Sequence, residues 1–265
     1  MTDKPGIAIS HDNLYVLQPN GAIFGYVERF NAWHQLDGNP ETSKIAAGND
    51  HLYQLHSPDN SIWTFSANTT PQWVNLDSNE DTKSIAAGGD HLYQIHSDGQ
   101  IYAYDAENKK WDNIEKNTAA VKIVTDGDDL YQLHKEGAIY KYNGPSSGGW
   151  TGLDDNADTT DIVVGGGDVY QVHKGGAVWK YADGAWNMLD NNPNTLQIAA
   201  GKAGLYQRQK DRIYKYDGSQ WDVVMDAEMT DIVVGDTALY VRNDAGVVLR
   251  YQDGEWFVLA PVANA

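Results

Sequence analysis

Short apolar runs alternate with turn residues along the whole chain, and residues 85–115 show the pattern best. Ile85–Gly88 is a run of small residues, and Gly89-Asp90 is a turn. His91–His96 is apolar and β-prone. Ser97–Gln100 is a hairpin-type turn whose Gly99 tolerates positive φ. Ile101–Tyr104 alternates and is rich in aromatics, Asp105–Lys110 is a polar loop, and Trp111–Ile114 closes the unit. The period is two within each run, and no helical period occurs anywhere. The pattern predicts four short strands separated by turns.

The same unit recurs. Leu-Tyr-Gln-Leu-His at 52–56 returns as Leu-Tyr-Gln-Ile-His at 92–96, Leu-Tyr-Gln-Leu-His at 130–134 and Val-Tyr-Gln-Val-His at 169–173. Weaker copies stand at Leu14–Gln18, Leu205–Gln209 and Leu239–Asn243, so that the tyrosines recur every 34 to 40 residues. A first strand is expected at Ile7–Ser10, Ile45–Gly48, Ile85–Gly88, Ile123–Thr125, Ile162–Gly165, Ile198–Gly201 and Ile232–Gly235. The third strand carries Phe24, Trp63, Tyr102, Tyr140, Trp179, Tyr214 and Leu249, and the fourth Trp33, Trp73, Trp111, Trp150, Trp186, Trp221 and Trp256. Seven of the nine tryptophans thus hold one repeat position. That position suits a large ring filling the wide outer gap between wedge-shaped blades, with a ligand platform as the alternative.

Seven units of four strands predict an all-β, seven-bladed β-propeller with four antiparallel strands per blade, as a single domain. The repeats fall at about 7–44, 45–84, 85–122, 123–161, 162–197, 198–231 and 232–265. Each blade is complete in sequence order, so closure is expected from contact between the first and last blades, without a permuted blade. Met1–Lys4 or Pro261–Ala265 adding an edge strand is the alternative.

Charge narrows the partners. Nineteen basic against 37 acidic residues leave a formal net charge of −18, which disfavours nucleic acid and anionic membrane. The absence of cysteine excludes disulfides and thiolate metal sites. No apolar run reaches membrane-spanning length, and Met1–Gly6 lacks the apolar core of a signal peptide. The expected location is cytoplasmic, or outside the cell by a route without a classical signal, with no membrane insertion.

The frame Trp-x-x-Leu-Asp followed by Ile-Ala-Ala-Gly-x-x-x-Leu-Tyr-Gln-Leu-His-x-x-Gly-x-Ile-Tyr-x-Tyr, best seen at Trp73–Tyr104 and Trp111–Tyr142, resembles the tectonin repeat of β-propeller lectins. One departure is that tyrosine stands at all seven second-strand positions where the usual repeat has tryptophan. The resemblance implies a multivalent lectin with glycan sites repeated between or at the rim of blades and glycans or glycoconjugates as partners; separately, no cofactor is expected. The alternative is a protein-interaction scaffold using one ring face.

Two residue sets are candidates for such sites. The first is Gln54/His56, Gln94/His96, Gln132/His134 and Gln171/His173. Residues two apart in a strand share a face, so Gln and His point together into a blade–blade seam. There they either bond a neighbouring blade or reach sugar hydroxyls at the ring face. Gln18, Gln209 and Asn243 stand where the histidine would be in the other blades, so fewer than seven full sites are expected. The second set is the loop after the fourth strand: Asp37-x-Asn39-x-Glu41, Asp77-x-Asn79-x-Asp81, Asp154-x-Asn156-x-Asp158 and Asp190-x-Asn192-x-Asn194. This spacing opens calcium loops, but the glycine and bidentate glutamate that follow in such loops are missing; turn capping is the commoner explanation, and bound calcium is the alternative. Both sets emerge on one face of a propeller and are expected to meet in inter-blade pockets. No nucleophile elbow, phosphate loop or zinc helix is present, and no blade carries a unique polar cluster. A non-enzymatic protein is therefore expected.

Overall fold

The computed structural model describes residues 6–49 and 51–262. They form seven four-stranded antiparallel sheets, each built from four consecutive strands in sequence order: the seven blades of a β-propeller. First strands are Ile7–Ser10, Thr42–Gly48, Thr82–Gly88, Ala120–Asp126, Thr159–Gly165, Gln197–Gly201 and Asp231–Val234. Second strands are Asn13–Leu17, His51–His56, His91–His96, Asp129–His134, Asp168–His173, Gly204–Arg208 and Leu239–Arg242. Third strands are Ile23–Val27, Ile62–Phe65, Ile101–Asp105, Ile139–Tyr142, Val178–Ala182, Arg212–Tyr216 and Val248–Gln252. Fourth strands are Ala32–Asp37, Trp73–Asp77, Lys110–Glu115, Trp150–Asp154, Ala185–Asp190, Trp221–Asp226 and Glu255–Val258. Among the described residues the only helical segments are the single 3-10 turns Glu28–Phe30 and Pro145–Ser147. Among the described residues no helix is long and apolar enough to cross a membrane.

One difference from the apolar pattern matters. In blades two to five the first strand starts three residues before its isoleucine. Thr42, Ala120 and Thr159 pair with His56, His134 and His173, and Thr82 with His96, each beside a shift in register. A polar residue followed by a bulge reads as loop in the sequence, yet it extends the ladder to the histidine. The predicted edge strand at Met1–Lys4 lies outside the described residues, as do Ala263–Ala265. Pro261 and Val262 are not in a strand.

By its contacts the chain divides into two units: one up to Ser10 with Leu17–Ala22 and Gly38–Ala157, the other His11–Val16, Ile23–Asp37 and from Asp158 on. Within each, neighbouring blades meet in one recurring way. In the first unit, Tyr93, Ile95 and Ile101 of blade three pack with Ile123 and Leu130 of blade four, and Tyr142 and Trp150 cover them. In the second, Tyr170 and Val178 of blade five meet Ile198 and Leu205 of blade six under Tyr216 and Trp221. Burial pushes the Tyr93 hydroxyl up to about 12, so this tyrosine is a neutral packing group.

The fourth-strand tryptophans are packing residues. Each lies 4.9–5.2 Å from an aromatic ring of the third strand of its own blade, from Tyr26–Trp33 through Tyr251–Trp256. The indole Nε1 of Trp150 donates to Ile114 O at 3.2 Å, that of Trp221 to Leu189 O at 3.3 Å and that of Trp256 to Val224 O at 2.8 Å. Each bond ties a blade to its predecessor. Trp33 donates likewise to Ala260 O at 2.7 Å, so the first blade contacts the last. His11 and Lys202 both bond Asp236 Oδ2, at 3.1 and 2.7 Å, and Thr237 N donates to Asp12 Oδ1 at 3.1 Å.

Candidate functional site

The second-strand glutamines lie in the seams and are almost wholly buried, at 0–1% exposure. Gln94 shows why. Its Nε2 donates to Asp77 Oδ2 of the preceding blade at 2.8 Å, and its Oε1 accepts from Thr82 Oγ1 at 2.5 Å. Carboxylate, amide and hydroxyl form a chain that locks one blade to the next and fixes the amide's orientation. The hydroxyl half recurs at Thr42–Gln54 (2.6 Å) and Thr159–Gln171 (2.5 Å). Blade six repeats the whole latch. Gln207 donates to Asp190 Oδ2 at 2.9 Å and accepts from Thr195 Oγ1 at 2.9 Å. Blade four departs from it: Gln132 Nε2 donates to Glu115 Oε2 at 3.1 Å, but Ala120 holds the threonine's place. Gln132 Oε1 is left buried without a hydrogen-bond partner among the described residues. Thr42, Thr82, Thr159, Thr195, Gln207 and Glu115 were not candidates in the sequence. Their regular 12- and 17-residue offsets from the glutamines were the available signal.

The histidines stack on the third-strand aromatic of their own blade: His56 on Trp63 at 5.6 Å, His96 on Tyr102 at 4.3 Å, His134 beside Tyr140 at 4.6 Å and His173 on Trp179 at 5.3 Å. His56 Nε2 faces Asn39 Nδ2 at 3.4 Å and its Nδ1 faces Ser61 Oγ at 3.3 Å. This geometry suits a neutral ring protonated on Nδ1. His96 Nε2 faces Asn79 Nδ2 at 3.5 Å. His56, His96 and His134 are only 5–6% exposed. Burial holds the His134 imidazole below its usual pKa, against the opposing pull of Glu115 and Glu136. His173 is half-buried.

The Asp/Asn loops are turns built on their own side chains. Oδ1 of Asn39, Asn79, Asn117 and Asn192 each accepts the backbone N–H two residues on, at 2.9–3.0 Å. Asp77 Oδ1 accepts Ser78 N at 2.8 Å, and Asp154 Oδ1 accepts Asp155 N at 3.0 Å. The Asn156 carbonyl lies against Gly137, where a Cβ would meet it at 2.1 Å, so this loop and the second-to-third-strand turn touch. Among the described residues no three His, Asp or Glu side chains converge in a way that could hold a metal ion.

In the second unit the seam between blades five and six opens into a cleft of about 330 Å³. Its lining includes Asp161, Val172, His173, Lys174, Gly175, Pro193, Thr195, Leu196 and Gln197, so the predicted His173 lines it together with Pro193, whereas the predicted Asp190 and Asn192 of the same loop are not in the lining and bond Gln207 and Asn194 N. Two small side chains open it. Val172 is half-buried where Leu55, Ile95 and Leu133 are 0–3% exposed, and Gly175 stands where the other turns carry Pro58, Asp98 and Glu136. Leu196, 59% exposed, supplies an apolar lip where blades two, three and five have Ser43, Lys83 and Thr160 and blade four has the smaller, 40% exposed Val121. The polar lining is mostly engaged. Thr160 Oγ1 donates to Val172 O at 3.0 Å, Gln197 Nε2 to Asp231 Oδ1 at 2.8 Å, and Gln197 Oε1 accepts from Arg208 Nε at 3.0 Å.

No family model and no curated protein matches the chain in sequence. Similar solved structures are propellers at low identity. Prp20p from Saccharomyces cerevisiae is 12% identical over 80% of this chain and 72% of its own, with a TM-score of 0.63. YCF48 from Cyanidioschyzon merolae is 14% identical over 95% and 97%, at 0.69. The acylaminoacyl peptidase of Pyrococcus horikoshii is 12% identical over 98% of this chain, which spans 53% of that protein, at 0.67. At such identities the likeness is one of fold.

Proposed function

We propose that this protein is a non-enzymatic interaction scaffold, and that an extended segment of a protein partner seats in the cleft between blades five and six. The observation that carries the reading is the contrast between seams. Gln94, Gln132 and Gln207 are all buried in their seams and bonded to the preceding blade, but His56, His96 and His134 are only 5–6% exposed whereas His173, at the cleft, is half-buried. The five–six seam opens to about 330 Å³ with Leu196 exposed at its lip. An apolar lip over a concave, partly polar floor suits an anchor side chain of a peptide. Fold neighbours add support: Prp20p is described with binding to Gsp1p and histones, and YCF48 with a bound D1 peptide. A net charge of −18 favours partners with basic residues flanking the anchor. The cleft's hydroxyls are bonded to backbone or amide groups rather than to a base, which supports a binding role over a catalytic one.

Selection from a random peptide library tests this. Enriched peptides should bind the protein and lose at least tenfold in affinity to Leu196→Asp, a change at an exposed site that leaves folding intact. Failure to enrich any peptide, or binding indifferent to Leu196→Asp, would remove the cleft as the site. A second reading is the multivalent lectin. It draws on the tectonin-like repeat frame and on the cleft's mixture of His173, Asp161 and threonine hydroxyls beside Pro193. Binding on a glycan array, competed by free sugar, would favour it over the scaffold.

A further inference from the structure

The seam after the cleft shows what side chain its geometry takes. Between blades six and seven, Arg208 follows the Leu-Tyr-Gln of its second strand and pairs in register with Gln197. Its Nε donates to Gln197 Oε1 at 3.0 Å and its Nη1 to Met229 O of blade seven at 3.0 Å, so one guanidinium bridges two blades. Burial pulls its pKa down, and Asp231, which accepts Gln197 Nε2 at 2.8 Å, opposes that pull. One seam back, Val172 follows the Val-Tyr-Gln of blade five and pairs in the same register with Asp161. Thr195 of blade six stands where Met229 stands in blade seven: Leu196 N, next in the chain, donates to Arg208 O as Thr230 N donates to Arg242 O. Val172, Asp161 and Thr195 all line the cleft. The five–six seam thus has both acceptor positions of the bridge, one of them raised from amide to carboxylate, with valine where the arginine would be.

We infer, on the premise that the cleft seats a peptide, that the anchor is an arginine whose guanidinium bonds Asp161 and the Thr195 carbonyl while its methylene stem lies under Leu196. A planar fork reaches two acceptors at once, and an apolar stem suits an apolar lip, which is the combination that arginine offers and lysine or leucine does not. The charges at the cleft agree. Lys174 Nζ lies 3.7 Å from Asp158 Oδ1, and the amide of Gln197 is taken at both ends by Arg208 and Asp231. His173 stacks on Trp179. Asp161 is the charged acceptor in the lining. Its Oδ1 accepts Ile162 N at 2.8 Å, and carboxylates in this chain take several donors, as Asp236 Oδ2 takes His11 and Lys202, so an engaged Asp161 still accepts a guanidinium.

Calorimetric titration of the whole chain with library-selected peptides tests the inference. The peptides should share one arginine. Replacing it with citrulline, which keeps the shape and removes the charge, should weaken binding roughly tenfold or more. Asp161→Asn should weaken the arginine peptide to a similar extent and leave the citrulline peptide unchanged. Val172→Arg supplies the guanidinium from within the chain and should abolish binding with an unchanged circular dichroism spectrum; the citrulline and Asp161→Asn comparisons decide the matter without it. Peptides that compete for the cleft yet carry no arginine, or tolerate citrulline, overturn the arginine anchor and leave the cleft as the site. So does binding of the arginine peptide that is indifferent to Asp161→Asn. A library from which nothing is enriched overturns the peptide seat and the anchor together.

Discussion

Ala120→Thr should stabilise the protein. In blades two, three, five and six, the threonine twelve residues before the latch glutamine donates to its Oε1 at 2.5–2.9 Å. Blade four keeps the glutamine but not the hydroxyl, and Gln132 Oε1 is buried without a partner among the described residues. An unsatisfied buried acceptor costs about 1–3 kcal/mol, and a completed bond returns about 0.5–1.5 kcal/mol net. Threonine also suits a strand better than alanine by up to ~1 kcal/mol. Overpacking opposes these gains, and inserted methyls can cost about 1–3 kcal/mol. The backbone argues that space exists, because Ala120 pairs with His134 in the register and beside the bulge that Thr42 and Thr159 show with His56 and His173. The expected gain is therefore about 1–2 kcal/mol, read as a rise in Tm of about 2–4 °C per kcal/mol by calorimetry. Ala120→Val is the control. It adds the same volume without the hydroxyl and should fall about 1 kcal/mol short of threonine. Equal effects of valine and threonine, or a loss with both, would refute the latch as the cause.

Other outcomes follow from the same seams. Thr82→Ala should create in blade three the orphan that blade four already has, at a cost of about 1–3 kcal/mol in chemical denaturation. Trp150→Phe should cost about 1 kcal/mol more than Trp111→Phe, because Trp150 bonds Ile114 O while Trp111 Nε1 has no partner among the described residues. His134 is held below its ordinary value of 6.5 by burial, so the unfolded chain binds its proton first as pH falls. Its contribution is full above pH 6.5 and is lost as pH drops through the lower folded value. Melts of the wild type and His134→Gln across that range should converge at acid pH.

The fold was legible because seven copies of one pattern leave few other architectures, and Trp33, Trp73 and their equivalents were read as packing. The seam location of Gln94 and its relatives was also legible from strand alternation. What it hid was the partner. Thr82 and Asp77 sit 12 and 17 residues before Gln94 and meet it through a bulge and a loop, so strand alternation does not encode them and only the repetition of those offsets from blade to blade could have pointed to them. The cleft was harder still. It arises from two truncations, Val172 and Gly175, and one enlargement, Leu196, each unremarkable alone. Repeat averaging draws attention to what blades share, whereas this site comes from what one blade lacks.

Hydrogen–deuterium exchange on the protein with and without a library-selected peptide tests the central claim most directly. The account predicts slowed exchange confined to Thr160–Gly176 and Pro193–Gln197, the two segments that flank the cleft. Protection that appears instead along Glu255–Val258, or across several blades alike, would contradict it.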